Sequence, residues 1–166
     1  LGFRNWKAAD LPFMAAMNAD EKVMEFFPNT QTEQEAAAFI ERLKLHFLER
    51  GFCYFAVEIL ENQQLIGFIG LAEQNYEAFF NPSVDIGWRL SPKFWGKGFA
   101  TEGAKRCLEF AFEELKLKKV VAVAPFINKK SISVMEKIGM QFHSTFEHPK
   151  LLNNERLKRC VLYVKS

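Results

Sequence analysis

Apolar and polar positions along the 166-residue chain change their spacing several times, and each change marks an element. Leu1-Gly2-Phe3-Arg4-Asn5 reads as part of a strand, which implies native residues ahead of it. Its early charge and polar residue do not make a signal peptide. Asp10 is placed to cap a helix through about Asn18, with Leu11, Met14 and Ala15 inward. Asp20 to Phe27 predicts a short helical turn that Pro28 ends. Thr32-Glu33-Gln34-Glu35 is a capping-box pattern. It opens a helix with Ala36, Phe39, Ile40, Leu43 and Phe47 at helical spacing, and Gly51 ends it. The period then falls to two. Phe52–Leu60 and Leu65–Glu73 predict a hairpin, and Val84–Leu90 a third strand after the turn at Asn81-Pro82-Ser83. Gly87 inside that strand predicts a bulge or a close backbone approach. A helix follows from about Phe99 to Glu114, then the solid apolar run Val120–Ala124 of a central strand. Asn128 caps a helix through Lys137, with Gly139 just past its end, and strands at Met140–Phe146 and Leu157–Val164 close the chain. The order is β, α, α, β, β, β, α, β, α, β, β. The middle strand–helix–strand unit predicts parallel pairing and the early hairpin antiparallel pairing, in one α/β (α+β) domain over 1–166.

Composition narrows the class. Hydrophobic residues make up 49% and charged residues 25%, with a net charge of +2, so low-complexity disorder is excluded. No apolar run approaches the ~20 residues of a membrane span, so no membrane partner is expected. Cys53, Cys107 and Cys160 lie far apart without a CxxC, which predicts reduced thiols and a cytoplasmic setting. His46, His143 and His148 lack metal-ligand spacing, so no metal is expected. Monomer and homodimer remain equally open. Near-neutral charge argues against nucleic acid, yet its distribution is uneven. Ser91 to Lys130 carries nine Lys/Arg against four Asp/Glu, so a small anion is expected near that segment. Of the 18 phenylalanines, the pairs Phe26-Phe27 and Phe79-Phe80 exceed what one strand face buries.

The richest stretch is Trp95-Gly96-Lys97-Gly98-Phe99-Ala100-Thr101, between a predicted strand and a predicted helix. That placement aims backbone N–H groups and the positive end of the helix dipole at one point. Gly96 and Gly98 let an anion approach, and Lys97 adds positive charge, so the loop suits a phosphate. It is not a Walker A loop, because Ala104-Lys105 follow Gly103 where Lys-Ser/Thr is needed. It is not a dinucleotide fingerprint either. Thr101 stands at the third glycine, and Ala124-Pro125-Phe126 ends the next strand without an acid. Asn128-Lys129-Lys130-Ser131 opens the following helix. If the two strands are neighbours, both helix starts open on one sheet edge, and a long ligand fits between them.

With these residues in view, the sequence resembles the GNAT N-acetyltransferases of the ribosomal-protein-alanine (RimJ/RimL) type. Trp95 to Ala100 follows their Q/R-x-x-G-x-G/A pattern, with Trp95 in place of Gln or Arg. Asn128 to Met140 is similar to their N-x-x-S-x-x-x-x-x-K-x-G-[FM] motif, and His148-Pro149-Lys150 and Arg159 to Tyr163 have the look of that branch. The resemblance implies a mixed, mostly antiparallel sheet, with about four helices, splayed open between the strands near Trp88 and Val123 to admit acetyl-CoA. It implies pantetheine pairing along the backbone of Trp88, Arg89 and Leu90. It places the pyrophosphate on the amides of Gly96, Lys97, Gly98, Phe99, Ala100 and Thr101, with Trp95 also at the cofactor site. Asn128 would hydrogen-bond the pantetheine from the other side, with Ser131 also at the cofactor site.

The implied reaction is direct attack of an amine on the thioester in one ternary complex. The acceptor is a protein N-terminal α-amine or a small amine. Asp85 is the first candidate for the base and Glu73 the second. An oxyanion is expected to meet a free amide near a bulge at Trp88 to Leu90. Many relatives protonate the departing thiolate with a tyrosine; Met135 stands there in this chain, and Ser131 is the substitute. Cys107 and Cys160 fall on apolar faces, which disfavours a covalent acetyl-cysteine. The family places the acceptor pocket near Met24 to Pro28 and Glu147 to Arg156, with Phe26, Phe27, Phe79 and Phe80 as a candidate wall. Two other readings keep the fold: a different acyl donor, or a non-catalytic CoA-binding sensor.

Overall fold

The computed structural model describes all residues 1–166. Seven strands form one sheet in the order β1-β2-β3-β4-β5-β7-β6. They are β1 (Gly2–Arg4), β2 (Tyr54–Ile59), β3 (Gln64–Gln74), β4 (Ser83–Leu90), β5 (Val120–Pro125), β6 (Gln141–Glu147) and β7 (Arg159–Lys165). Neighbours pair antiparallel, with β4–β5 the one parallel pair. Helices α1 (Leu11–Ala19) and α2 (Glu33–Arg50) cover one face, where Met14, Ile40 and Leu43 bury against Ala56 and Phe68. Helices α3 (Phe99–Glu109) and α4 (Lys129–Lys137) cover the other, where Ala104, Leu108 and Met135 meet Ile69, Ile86 and Val161.

Local signals explain most boundaries. Thr32 and Glu35 exchange reciprocal side-chain-to-amide bonds at the start of α2, and Gly51 ends it at φ 78°. Asn128 Oδ1 accepts from the Ser131 amide at the start of α4, and Gly139 lies past its end at φ 78°. After Glu109 the helix of α3 widens into one π-helical turn over 110–114, closed by Leu115 N–H donating to Phe110 O at 3.0 Å.

Two expectations are corrected. Asp10 does not cap α1; its carboxylate turns back to accept two bonds from Arg4, at 2.8 and 2.9 Å, and one from the Lys7 amide. The inward residues of α1 are consequently Met14, Met17 and Asn18, with Leu11 and Ala15 only half-buried. Asp20 to Phe27, by contrast, is the helical turn expected, with Met24 N–H donating to Asp20 O at 3.0 Å. The second correction is that Gly87 makes no bulge. Pairing of β3 with β4 runs unbroken from Gly67↔Leu90 to Gln74↔Ser83, and the bulges lie at Val57/Glu58 and Phe142/Ser144. The other half of that expectation, a close approach, is what Gly87 supplies: a Cβ there would meet the Tyr54 ring at 3.0 Å.

Candidate active site

β4 and β5 touch through a single bridge, Asp85↔Val121, and then diverge. Past that vertex the outer edge of β4 has no strand partner, so its backbone donors and acceptors face a cleft of about 1230 Å³. One strand lies on each wall. The parallel β4–α3–β5 crossover puts the start of α3 at the mouth, and the β5–α4 connection brings the start of α4 opposite it.

The mouth is built for an anion. The amides from Gly96 to Thr101 donate to no backbone carbonyl; the first helical bond runs from Glu102 N–H to Gly98 O at 2.9 Å. Gly96 and Gly98 hold φ values of 71° and 82°, and no heavy atom lies within 4 Å of where their Cβ atoms would stand. Trp95 anchors the loop by donating Nε1–H to Leu90 O at 2.7 Å. Lys130 Nζ lies 4.6 Å from the Trp95 ring and puts positive charge on the facing wall. A pyrophosphate with an extended arm fits this set: free amides at the mouth, an unpaired strand edge along the wall.

The vertex holds a buried carboxylate. Asp85, Gly87 and Arg89 share the face of β4 that looks toward α1 and α2. Tyr54 on β2 pairs with Gly70, which pairs with Gly87, so the Tyr54 ring crosses two positions without side chains. Its hydroxyl donates to Asp85 Oδ1 at 2.5 Å, and Gln74 Nε2 donates to the same oxygen at 3.2 Å. Burial pushes the Asp85 carboxyl up to about 6, against the two hydrogen bonds, which pull it down. Burial and the Asp85 charge raise Tyr54 well above its ordinary range, so it keeps its proton and donates.

Of the residues singled out in the sequence, Asp85, Trp88–Leu90, Trp95, Gly96, Gly98–Thr101, Asn128 and Ser131 all line this cleft. Glu73 does not. It pairs with Val84, out of phase with Asp85, and its carboxylate is exposed and bonded to Arg50 at 3.0 Å. Lys97 is not among the lining residues either; it is exposed, its Nζ 5.7 Å from the ring centroid of Phe94, which does line the cleft. Phe26 and Phe27 line the cleft, whereas Phe80 buries with Val121 and Leu162 and Phe79 is exposed beside Phe146 and His143, so that pair is no part of the wall. From Glu147 to Arg156 only Lys150 lines the cleft, although Arg156 donates to Glu25 O at 2.7 Å. Sequence reasoning missed Tyr54, Gln74 and the Arg89 side chain; glycines inside two neighbouring strands, Gly70 and Gly87, were the available signal.

Met135 is buried and apolar at the base of the cleft. Burial pushes Cys53 and Cys107 up to about 12 and Cys160 up to about 11, and none of the three reaches the cleft. No three of the His, Cys, Asp and Glu side chains are arranged to hold a metal ion, and no helix is long and apolar enough to cross a membrane.

Comparison with known proteins gives this geometry a family. Residues 1–141 match the acetyltransferase (GNAT) domain. The chain is 32% identical over 146 residues to the uncharacterized N-acetyltransferase YnaD of Bacillus subtilis, covering 87% of this chain and 78% of that protein. A GNAT-family acetyltransferase structure from Bacillus anthracis superposes with a TM-score of 0.81 at 26% identity, over 98% of this chain and 92% of that one. The Vibrio cholerae spermidine N-acetyltransferase, solved in complex with CoA and spermine, shares the fold at a TM-score of 0.77 and 23% identity, over 99% and 94%. An open parallel vertex with an amide-rich mouth is what an acetyl-CoA-dependent N-acetyltransferase requires, and this chain belongs to the GNAT acetyltransferase family.

Proposed function

We propose that this protein acetylates a primary amine by direct attack within a ternary complex, with Asp85 as the base. The observation that carries the reading is the position of Asp85: at the vertex where β4 leaves β5, hydrogen-bonded and held near neutrality. Acetyl-CoA supplies an electrophilic thioester carbonyl. As the N–C bond forms and the C–S bond breaks, Asp85 takes the amine proton, directly or through a water. Free amides on the outer edge of β4 offer donors where oxyanion charge develops, without the bulge that the sequence suggested. Ser131, on the facing wall, supplies the proton that makes the leaving thiolate a thiol, the task a tyrosine at Met135 would otherwise perform. Asn128 Oδ1 accepts from its own helix, which fixes the side chain and leaves its amide nitrogen free to donate to pantetheine.

The acceptor is a small amine, as with the spermidine-acetylating structural relative, or a protein N-terminal amine, as the RimJ/RimL-like motifs suggest. The test is a titration with acetyl-CoA and desulfo-CoA, followed by thiol release against N-terminal peptides, polyamines, amino acids and aminoglycosides. Micromolar binding with turnover on one class is expected. Absence of binding sinks the acetyl-CoA assignment, and tight binding without turnover on any amine makes the protein a CoA sensor.

A further inference from the structure

Arg89 is a cation without a counterion. Its guanidinium lies in the acceptor side of the cleft, 4.3 Å from the Phe27 ring centroid, 5.1 Å from Phe68 and 5.9 Å from Phe39. It makes one hydrogen bond, donating Nη1–H to Asn18 Oδ1 at 2.9 Å, and its Nε–H is buried with no partner. Asn18 is itself fixed, since its Nδ2 donates to Gln31 Oε1 at 2.9 Å. None of the ion pairs in the molecule includes Arg89. Burial lowers it to about 10, which still leaves it charged at neutral pH. A buried, under-bonded charge costs several kcal/mol unless something anionic completes it. The two acids lining the cleft are engaged elsewhere: Asp85 with Tyr54 and Gln74, Glu25 with Arg156. The missing partner therefore belongs to the ligand.

We propose that the acceptor is an amine that also carries a carboxylate, which the Arg89 guanidinium grips while the amine is delivered to Asp85. This rests on the acetyl-transfer reading above. Arg89 and Asp85 lie on one face of β4, four residues apart, or about 13 Å between Cα atoms at strand rise. Several bonds must therefore separate carboxylate from reacting amine, as in a diamino acid acetylated on its side chain. The rings of Phe27, Phe39 and Phe68 hold the guanidinium plane and exclude water from its grip. A polyamine, which presents only positive charge, meets Arg89 as a like charge.

The experiment compares acceptors that differ only by the carboxylate: lysine against cadaverine, and ornithine against putrescine, with spermidine alongside. In the wild type the amino acids should exceed the matching diamines in kcat/KM by roughly tenfold or more. Arg89→Met should collapse that ratio toward one, and Arg89→Lys should restore part of it, because it keeps the charge without the fork. A cooperative thermal melt establishes that Arg89→Met is folded, and acetyl-CoA titration of the folded variant shows whether the side chain serves the cofactor. Equal or better use of diamines or spermidine by the wild type overturns this inference and leaves the acetyltransferase reading standing. So does an unchanged ratio in Arg89→Met, or loss of its affinity for acetyl-CoA. No thiol release with any of the amines overturns both.

Discussion

Asp10 and Asp85 are both withdrawn from water, and their neighbours set them apart. Burial raises the Asp10 carboxyl, but the Arg4 fork, the Lys7 amide and the Arg4 charge outweigh it and hold it below the usual range. Asp10 thus contributes stability above the unfolded carboxylate pKa of about 4, and loses it as pH falls through its depressed folded value. Asp85 has no cation beside it, and burial raises it to about 6. Its charged form is a cost above that pH, relieved as pH falls. Asp85→Asn should therefore stabilise the fold by roughly 1–3 kcal/mol at pH 8 and by little near pH 4. Denaturant melts at the two pH values check this. The same substitution should lower kcat by about 10²- to 10⁴-fold. In the wild type, kcat/KM should climb through a limb near pH 6 as Asp85 loses its proton. Tyr54→Phe removes a bond that favours the Asp85 carboxylate, so the limb should move to higher pH; an unmoved limb would separate Tyr54 from the base.

Strands and helices carry the next level of prediction, through their glycines. On β4, Gly87 leaves room for the Tyr54 ring, with a Cβ contact of 3.0 Å in prospect. Gly87→Val should push Tyr54 off Asp85 and shift the pH limb in the same direction as Tyr54→Phe. On α3 two glycines do opposite jobs. Gly98 faces open space at the start of the helix, so Gly98→Trp should abolish acetyl-CoA binding while the protein still melts cooperatively, less about 1–2 kcal/mol for a left-handed residue with a side chain. Gly103 lies against the sheet, where a Cβ would fall 2.4 Å from Ile69 Cδ1. Gly103→Val should lose about 1–3 kcal/mol of stability through overpacking, as Ile69 gives way, read by thermal melting. If Gly98→Trp binds acetyl-CoA like the wild type, the phosphate loop is misassigned.

At the scale of the whole molecule, Arg4 ties the sheet edge to the helical layer. It donates to Asp10 ahead of α1 and to Glu58 Oε2 on β2 at 2.7 Å. Arg4→Met would strand a carboxylate that is 5% exposed, so a loss of about 3–5 kcal/mol is expected by urea denaturation. The site itself is a property of the assembled sheet. Its mouth comes from the α3 and α4 starts, its vertex from β4, and its acceptor side from α2 and the turns around Phe27, so no single segment folded alone would present it.

The element order, the caps of α2 and α4 and the phosphate-suited loop were legible from sequence, because periodicity, capping boxes and glycine spacing act over a few residues. Asp85 was named through the family resemblance, which puts a carboxylate on the cleft strand, and the structure shows it buried at the vertex. Which face each residue takes was not. Tyr54 reaches Asp85 across 31 positions and Arg89 reaches Asn18 across 71, contacts that exist only once strand register is set. Register likewise turned Glu73 away from the cleft one residue out of phase, and packing sent Phe79 and Phe80 to the far side. Sequence by itself determined a glycine-flanked helix start within an alternating α/β chain. Tertiary structure decided which carboxylate is buried and raised and which cation is left without a counterion, since burial and pairing are made by residues distant along the chain.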